Sequence, residues 1–168
     1  DNQTRTILII DFEATTKEEG MGIRIFLAGG ITNCPDWQTD IIAKLRGSRI
    51  ITDLDIYNPR RKNFPIHEPN ASLEQIKWEF EKLKTADMII FWFSRGSLNP
   101  IVLYELGMWG NSRNTKIIIG TDTEYERRRD VIIQTNLARP ELPLLCSLEG
   151  IVEEIKRIVD ARASIANI

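Results

Sequence analysis

Short apolar runs alternate with polar stretches of helical period along most of this chain. Residues 6–10, Thr-Ile-Leu-Ile-Ile, read as a short buried strand. Ile23-Arg24-Ile25-Phe26-Leu27-Ala28 reads as a second strand that ends in Gly29-Gly30. Trp37, Ile41, Ile42 and Leu45 then fall at helical spacing, with Asn33 or Asp36 placed to cap the start. Ile50 to Tyr57 predicts another strand, closed by Asn58-Pro59. Ser72 and Gln75 have the spacing of a capping box, and Leu73, Ile76, Phe80 and Leu83 predict the buried stripe of the helix that follows. The apolar run from Asp87 to Phe93 predicts a central strand buried on both faces. A loop from Ser94 to Pro100 leads into a helix from Ile101 to about Trp109, and Lys116 to Gly120 predicts the next strand. Residues 124–136 read as a charged helix or loop, Glu141 to Cys146 as a short edge strand, and Leu148 to Ala163 as a closing helix.

From Ile23 onward strands and helices alternate. That order predicts a single α/β domain with a mainly parallel sheet, helices on both faces and right-handed crossovers. The domain is expected over residues 21–168, with residues 1–20 as an N-terminal extension that adds a strand and Met21 as an alternative start. Thr15 to Gly20 reads as a polar turn. The Pro-containing loop from Asn58 to about Ser72 is long for a compact domain, and such loops often carry function.

Composition narrows the function. The formal net charge of −2, from 22 basic and 24 acidic side chains, argues against a nucleic-acid polymer as partner. No apolar run approaches the roughly 20 residues that span a bilayer, and no basic start precedes an apolar signal core. Cys34 and Cys146 lack metal-ligand spacing and read as free thiols of a reducing, cytoplasmic compartment. His67 is the single histidine, so a mechanism needing two histidines from one chain is excluded. Nothing in the sequence asks for a metal or a cofactor.

In an open parallel sheet, ligands bind beyond the carboxyl ends of the strands. Four loops meet there: Ala28-Gly29-Gly30, Asn58-Pro59-Arg60-Arg61, Ser94 to Asn99, and Gly120-Thr121-Asp122. Gly29 and Gly30 either let a ligand approach the backbone or simply make a tight strand-to-helix turn. Glu105 stands among Leu103, Tyr104, Leu106 and Met108, either on a solvated face or turned toward the cleft. In the cleft its pKa would rise with desolvation unless Tyr104, Ser94 or Ser97 held the anion by a hydrogen bond. Glu79, off the apolar stripe of its helix, reads alone as a solvent-facing partner of Lys82. Arg60 and Arg61 follow a strand end, suited either to clamp a phosphate or to pair with Glu68. Trp37 reads as core or as a stacking surface for a base, Asp87 as a turn or cap residue, and the Arg127-Arg128-Arg129 run as a solvated face.

Five ordered blocks resemble the nucleoside 2-deoxyribosyltransferase-like family. They are Ile25 to Gly30, Asp36-Trp37-Gln38, Tyr57 to Arg61, Ser97 to Gly107 with its Tyr104-Glu105-Leu106-Gly107, and Tyr125 to Thr135, so that the likeness covers about residues 23 to 157. The resemblance implies a flavodoxin-like or Rossmann-like fold with a five-stranded, mainly parallel sheet. It implies Glu105 as the nucleophile that attacks the anomeric carbon, displaces the base and forms a covalent glycosyl-enzyme. A second base or water then takes the sugar. Arg60 and Arg61, by their own chemistry and not by the resemblance, add a nucleoside 5′-monophosphate as a candidate substrate. Glu79 falls where the family places an acid that contacts the base or donates a proton. The family's aspartate six residues before the nucleophile is Asn99 here, and its first-strand tyrosine is Phe26. These departures leave hydrolysis open beside transfer. Gly29, Gly30, Trp37, Asn58, Arg60, Arg61, Ser97, Asn99 and Tyr104 complete the expected substrate-binding set, and a homo-oligomer is expected because family members commonly assemble. The competing reading is a non-catalytic nucleotide-binding or sensing module; a phosphate-handling flavodoxin-like protein is a third.

Overall fold

The computed structural model describes residues 5–13, 20–61 and 70–166. His67, Glu68, the turn at residues 15–19 and the loop at 62–69 lie outside the described residues. Among the described residues eleven elements follow one another: β1 (Ile7–Ile10), β2 (Ile23–Gly29), α1 (Trp37–Gly47), β3 (Leu54–Tyr57), α2 (Ala71–Thr85), β4 (Met88–Phe93), α3 (Pro100–Trp109), β5 (Lys116–Thr121), α4 (Arg128–Ala138), β6 (Leu144–Leu145) and α5 (Leu148–Ala166).

The strands form one sheet in the order β1-β3-β2-β4-β5-β6, and every pairing is parallel. The sheet thus has six strands rather than the five expected. The extra one is β1, which pairs with β3 from Ile7–Leu54 to Ile10–Tyr57 and forms the sheet edge. Alternation along β2 sends Ile25 and Leu27 to one face and Phe26 and Ala28 to the other. The first pair joins Trp37, Ile41 and Leu45 of α1 and Ile151 and Ile155 of α5 in one core. The second joins Leu83 of α2, Val102 of α3 and Val131 of α4 in another. β4 is buried at all six positions, as its unbroken apolar run requires.

Capping differs in part from the expectation. Asp36 caps α1, accepting from the Thr39 amide at 3.0 Å. Asn33 sits outside the helix with φ 58°. Ser72 does not cap α2: the helix begins earlier, at Ala71, with Asn70 at the N-cap position. Its apolar stripe is also not its core face. Leu83 is buried, but Leu73, Ile76 and Phe80 are exposed, Ile76 by 61%. Ala71, Gln75, Glu79 and Leu83, four residues apart, turn inward instead. Asp87 accepts from the Arg24 amide and guanidinium, which ties the start of β4 to β2. No helix among the described residues is long and apolar enough to cross a membrane.

Candidate active site

The chain runs outward from β2 to β3, then returns across β2 to place β4 on its other side. The reversal leaves a crevice at the carboxyl ends of β2 and β4, where open α/β sheets bind ligands. A cavity of about 380 Å³ lies there, on the face carrying α2 and α3. β2 contributes Phe26, Ala28 and Gly29, and the turn after it Gly30 to Asn33. Pro59 closes it after β3, Glu79 enters from α2, and Ser97, Asn99 and the first turns of α3 complete it down to Glu105.

Local sequence explains the placement of both acids. Asn99, left-handed at φ 52°, turns the chain sharply, and Pro100 starts α3 with its fixed φ and no amide to waste. Glu105 lies one turn beyond Ile101, so both face the cavity. Glu79 lies one turn beyond Gln75, whose Nε2 donates to Glu79 Oε1 at 2.7 Å and to the Pro59 carbonyl at 3.2 Å. It is not the surface partner of Lys82, whose ammonium lies 4.9 Å from the Tyr57 ring centre.

Burial and mutual repulsion dominate the electrostatics. Desolvation, helped by the Glu79 charge, pushes the Glu105 carboxyl from its ordinary 4.5 up to about 8. Its Oε2 is buried without a hydrogen-bond partner. Burial also raises Glu79, against the pull of the Gln75 hydrogen bond. Two interacting carboxyls of this kind give up their protons in separate steps that belong to the pair.

The other predicted residues divide. Gly29, Gly30, Ser97 and Asn99 line the cavity with the two glutamates. The two glycines also make room for protein: a Cβ at Gly29 would strike the Trp37 indole, and one at Gly30 would strike Asn99 Oδ1 and Cys34 Sγ. Asn99 is committed to its own loop, its Nδ2 donating to the carbonyls of Ser94 at 2.9 Å and Ser97 at 2.7 Å. Trp37 is buried in the opposite core and donates to the Gly30 carbonyl at 3.2 Å. Tyr104 points outward, 68% exposed. Asn58 accepts from the Arg60 amide at 3.0 Å, a turn within its loop.

The two arginines are bonded elsewhere. Arg60 reaches Gln38 Oε1 at 2.9 Å, the Pro35 carbonyl at 3.0 Å and Asp36 at 3.3 Å, and so staples the loop after β3 to the loop after β2. Arg61 pairs with Glu13 at 3.1 Å and lies over the Phe12 ring. Neither lines the cavity. Sequence reasoning passed over Thr32 and the contact of Gln75 with Glu79; the latter carried a usable signal in its four-residue spacing.

A family model described as nucleoside 2-deoxyribosyltransferase like matches residues 22–125. The chain belongs to the nucleoside 2-deoxyribosyltransferase-like family. The match takes in β2 through β5 and every described residue that lines the cavity, and it ends at Tyr125, short of the residue 157 expected from the sequence blocks. A comparison with curated proteins gives no match. Membership makes this a deoxyribosyltransferase-like protein with a small nucleoside-type substrate and a chemistry of nucleoside glycosyl transfer in general. Among the described residues, no cluster of His, Cys, Asp and Glu is arranged to hold a metal ion.

Proposed function

We propose that this protein cleaves the N-glycosidic bond of a (deoxy)nucleoside through a covalent glycosyl-enzyme on Glu105, with Glu79 as proton donor to the departing base. The observation that carries the reading is Glu105 itself: a half-buried glutamate whose Oε2 is buried and unpartnered, facing a cavity at the switch point beside a second raised carboxyl. Glu105, raised to about 8, holds its proton in the free protein at neutral pH, so the active form is the minority one in which that proton sits on Glu79 and Glu105 is ionised. Positive charge developing at C1′ favours that arrangement. Glu105 Oε2 bonds C1′ while the C1′–N bond breaks, its electron pair going to the base nitrogen that takes the Glu79 proton. Release of the sugar to a second base is transfer; release to water is hydrolysis.

The described lining holds two carboxyls and no lysine or arginine, which favours a neutral nucleoside over its 5′-monophosphate. A panel of deoxynucleosides and monophosphates, each with a second free base, tests both points by chromatography. A new nucleoside marks transfer, and free base with free sugar marks hydrolysis. Glu105→Ala is expected to lose at least about a thousandfold in rate while keeping its fold, on the order seen for loss of a nucleophile. Full activity in that variant would reject the mechanism.

The reading includes a homo-oligomer built on α2 and α3. Of the ten residues of α3 only Glu105 is charged, yet Ile101, Leu103, Tyr104 and Met108 are exposed. A helix this apolar is normally covered. Phe80 and Trp109, with ring centres 5.6 Å apart, join this face to the exposed stripe of α2. Ile101, 64% exposed, is also part of the cavity wall, so a second copy on this face would close the site from water. Free Cys34 and Cys146 fit a cytoplasmic setting.

A further inference from the structure

Gln75 is buried, and its Nε2 has two acceptors, the Pro59 carbonyl and Glu79 Oε1. An amide nitrogen has two protons to give, so both are used. The reverse orientation would set Gln75 Oε1 against a carbonyl oxygen that has no proton. The Pro59 carbonyl therefore fixes the direction of the Gln75 amide, and that direction obliges Glu79 Oε1 to accept. A Glu79 proton then has one place to reside, Oε2. Gln75 Oε1 is left buried without a partner, the cost of holding the amide this way round.

We propose that Gln75 is a positioning residue that selects the protonated oxygen of Glu79, locking Oε1 as acceptor so that the acid delivers its proton from Oε2. This rests on the reading of Glu79 as proton donor. Gln75 touches neither base nor sugar in this account; it acts through Glu79. When the base departs, the Oε2–H bond breaks, its proton goes to the base nitrogen, and the new carboxylate keeps its bond from Gln75. The same bond tunes the acid, because a donor to the anion opposes the effect of burial. Among the described residues, what faces Glu79 across the cavity is charged only at Glu105, from α3; β2 presents Phe26 and the stretch after β3 presents Pro59.

The test is Gln75→Met, close in size and without the amide. Carboxyl-carbon NMR is expected to show Glu79 titrating at higher pH in the variant than in the unmodified protein. An unchanged Glu79 titration would overturn the proposal. The kinetic arm compares an unmodified purine deoxynucleoside with its N7-methylated form, whose base leaves neutral without a proton. Cleavage of the first is expected to fall about tenfold, the order of one hydrogen bond to a charged group, and of the second by less than about twofold. Equal losses on both substrates would overturn the proposal, since a structural role would not discriminate. In the unmodified protein, one Gln75 amide proton is expected to move downfield as Glu79 ionises, and invariance of both protons would reject the link without any variant having to fold. Unmodified protein that cleaves neither substrate would sink the catalytic reading, and the two NMR titrations would still decide whether Gln75 directs the Glu79 proton.

Discussion

A carboxyl withdrawn from water and set beside a second one releases its proton late, and Glu105 meets both conditions. The consequence for stability has a definite sign. The unfolded chain ionises near the ordinary 4.5 and the folded one near 8, so the unfolded state loses its proton first. The stabilisation is fully present below about 4.5 and is lost as pH rises through about 8. Thermal unfolding followed by circular dichroism is expected to show Tm falling by several degrees over that window, with the fall flattened in Glu105→Gln. An equal fall in both proteins would contradict the assignment. Asn99 calls for a second test at this scale. Its Nδ2 donates to two carbonyls, so Asn99→Asp would set a carboxylate against both. That variant is expected to lose about 2 kcal/mol of stability in denaturant titration and not to gain base exchange, the order of an unmet buried polar group.

At the scale of elements, strands were the most legible part. β2, β4 and β5 announced themselves as apolar runs because a strand covered on both faces needs apolar residues at consecutive positions. The placement of α3 was legible from Pro100, and with it the position of Glu105 at the rim. The orientation of α2 was not. Leu73, Ile76 and Phe80 have the period of a core face, but apolar spacing cannot distinguish a chain's own core from the surface of a second copy. Gln75 and Glu79 turn inward instead, where the Gln75 amide nitrogen donates to Glu79 and to the Pro59 carbonyl. Arg60 was misleading for a related reason: a guanidinium at a strand end suits a phosphate, and equally suits the loop carbonyls it binds here. If α2 and α3 pair between copies, Phe80→Glu is expected to yield monomers in sedimentation velocity where the unmodified protein sediments as a dimer or larger. A monomeric unmodified protein would refute the pairing.

For the whole molecule, topology determines where chemistry is possible. The reversal of strand order at β2 and β4 opens one crevice, and the residues converging on it come from β2, α2, α3 and two loops distant in sequence. Alternation of elements made that architecture readable, while the convergence of Glu79 with Glu105 needed either coordinates or the family likeness. The sixth strand, β1, lies at the far edge and leaves the crevice unchanged. The proposed mechanism stands on bond formation between Glu105 and the anomeric carbon. Incubation with a 2′-fluorinated arabino-nucleoside, which slows release of the sugar, followed by peptide mass spectrometry measures this directly. A fluorosugar adduct on the peptide bearing Glu105, absent from Glu105→Ala, is the expected result. Turnover of the natural nucleoside with no adduct on that peptide, or an adduct on another residue, would contradict the account.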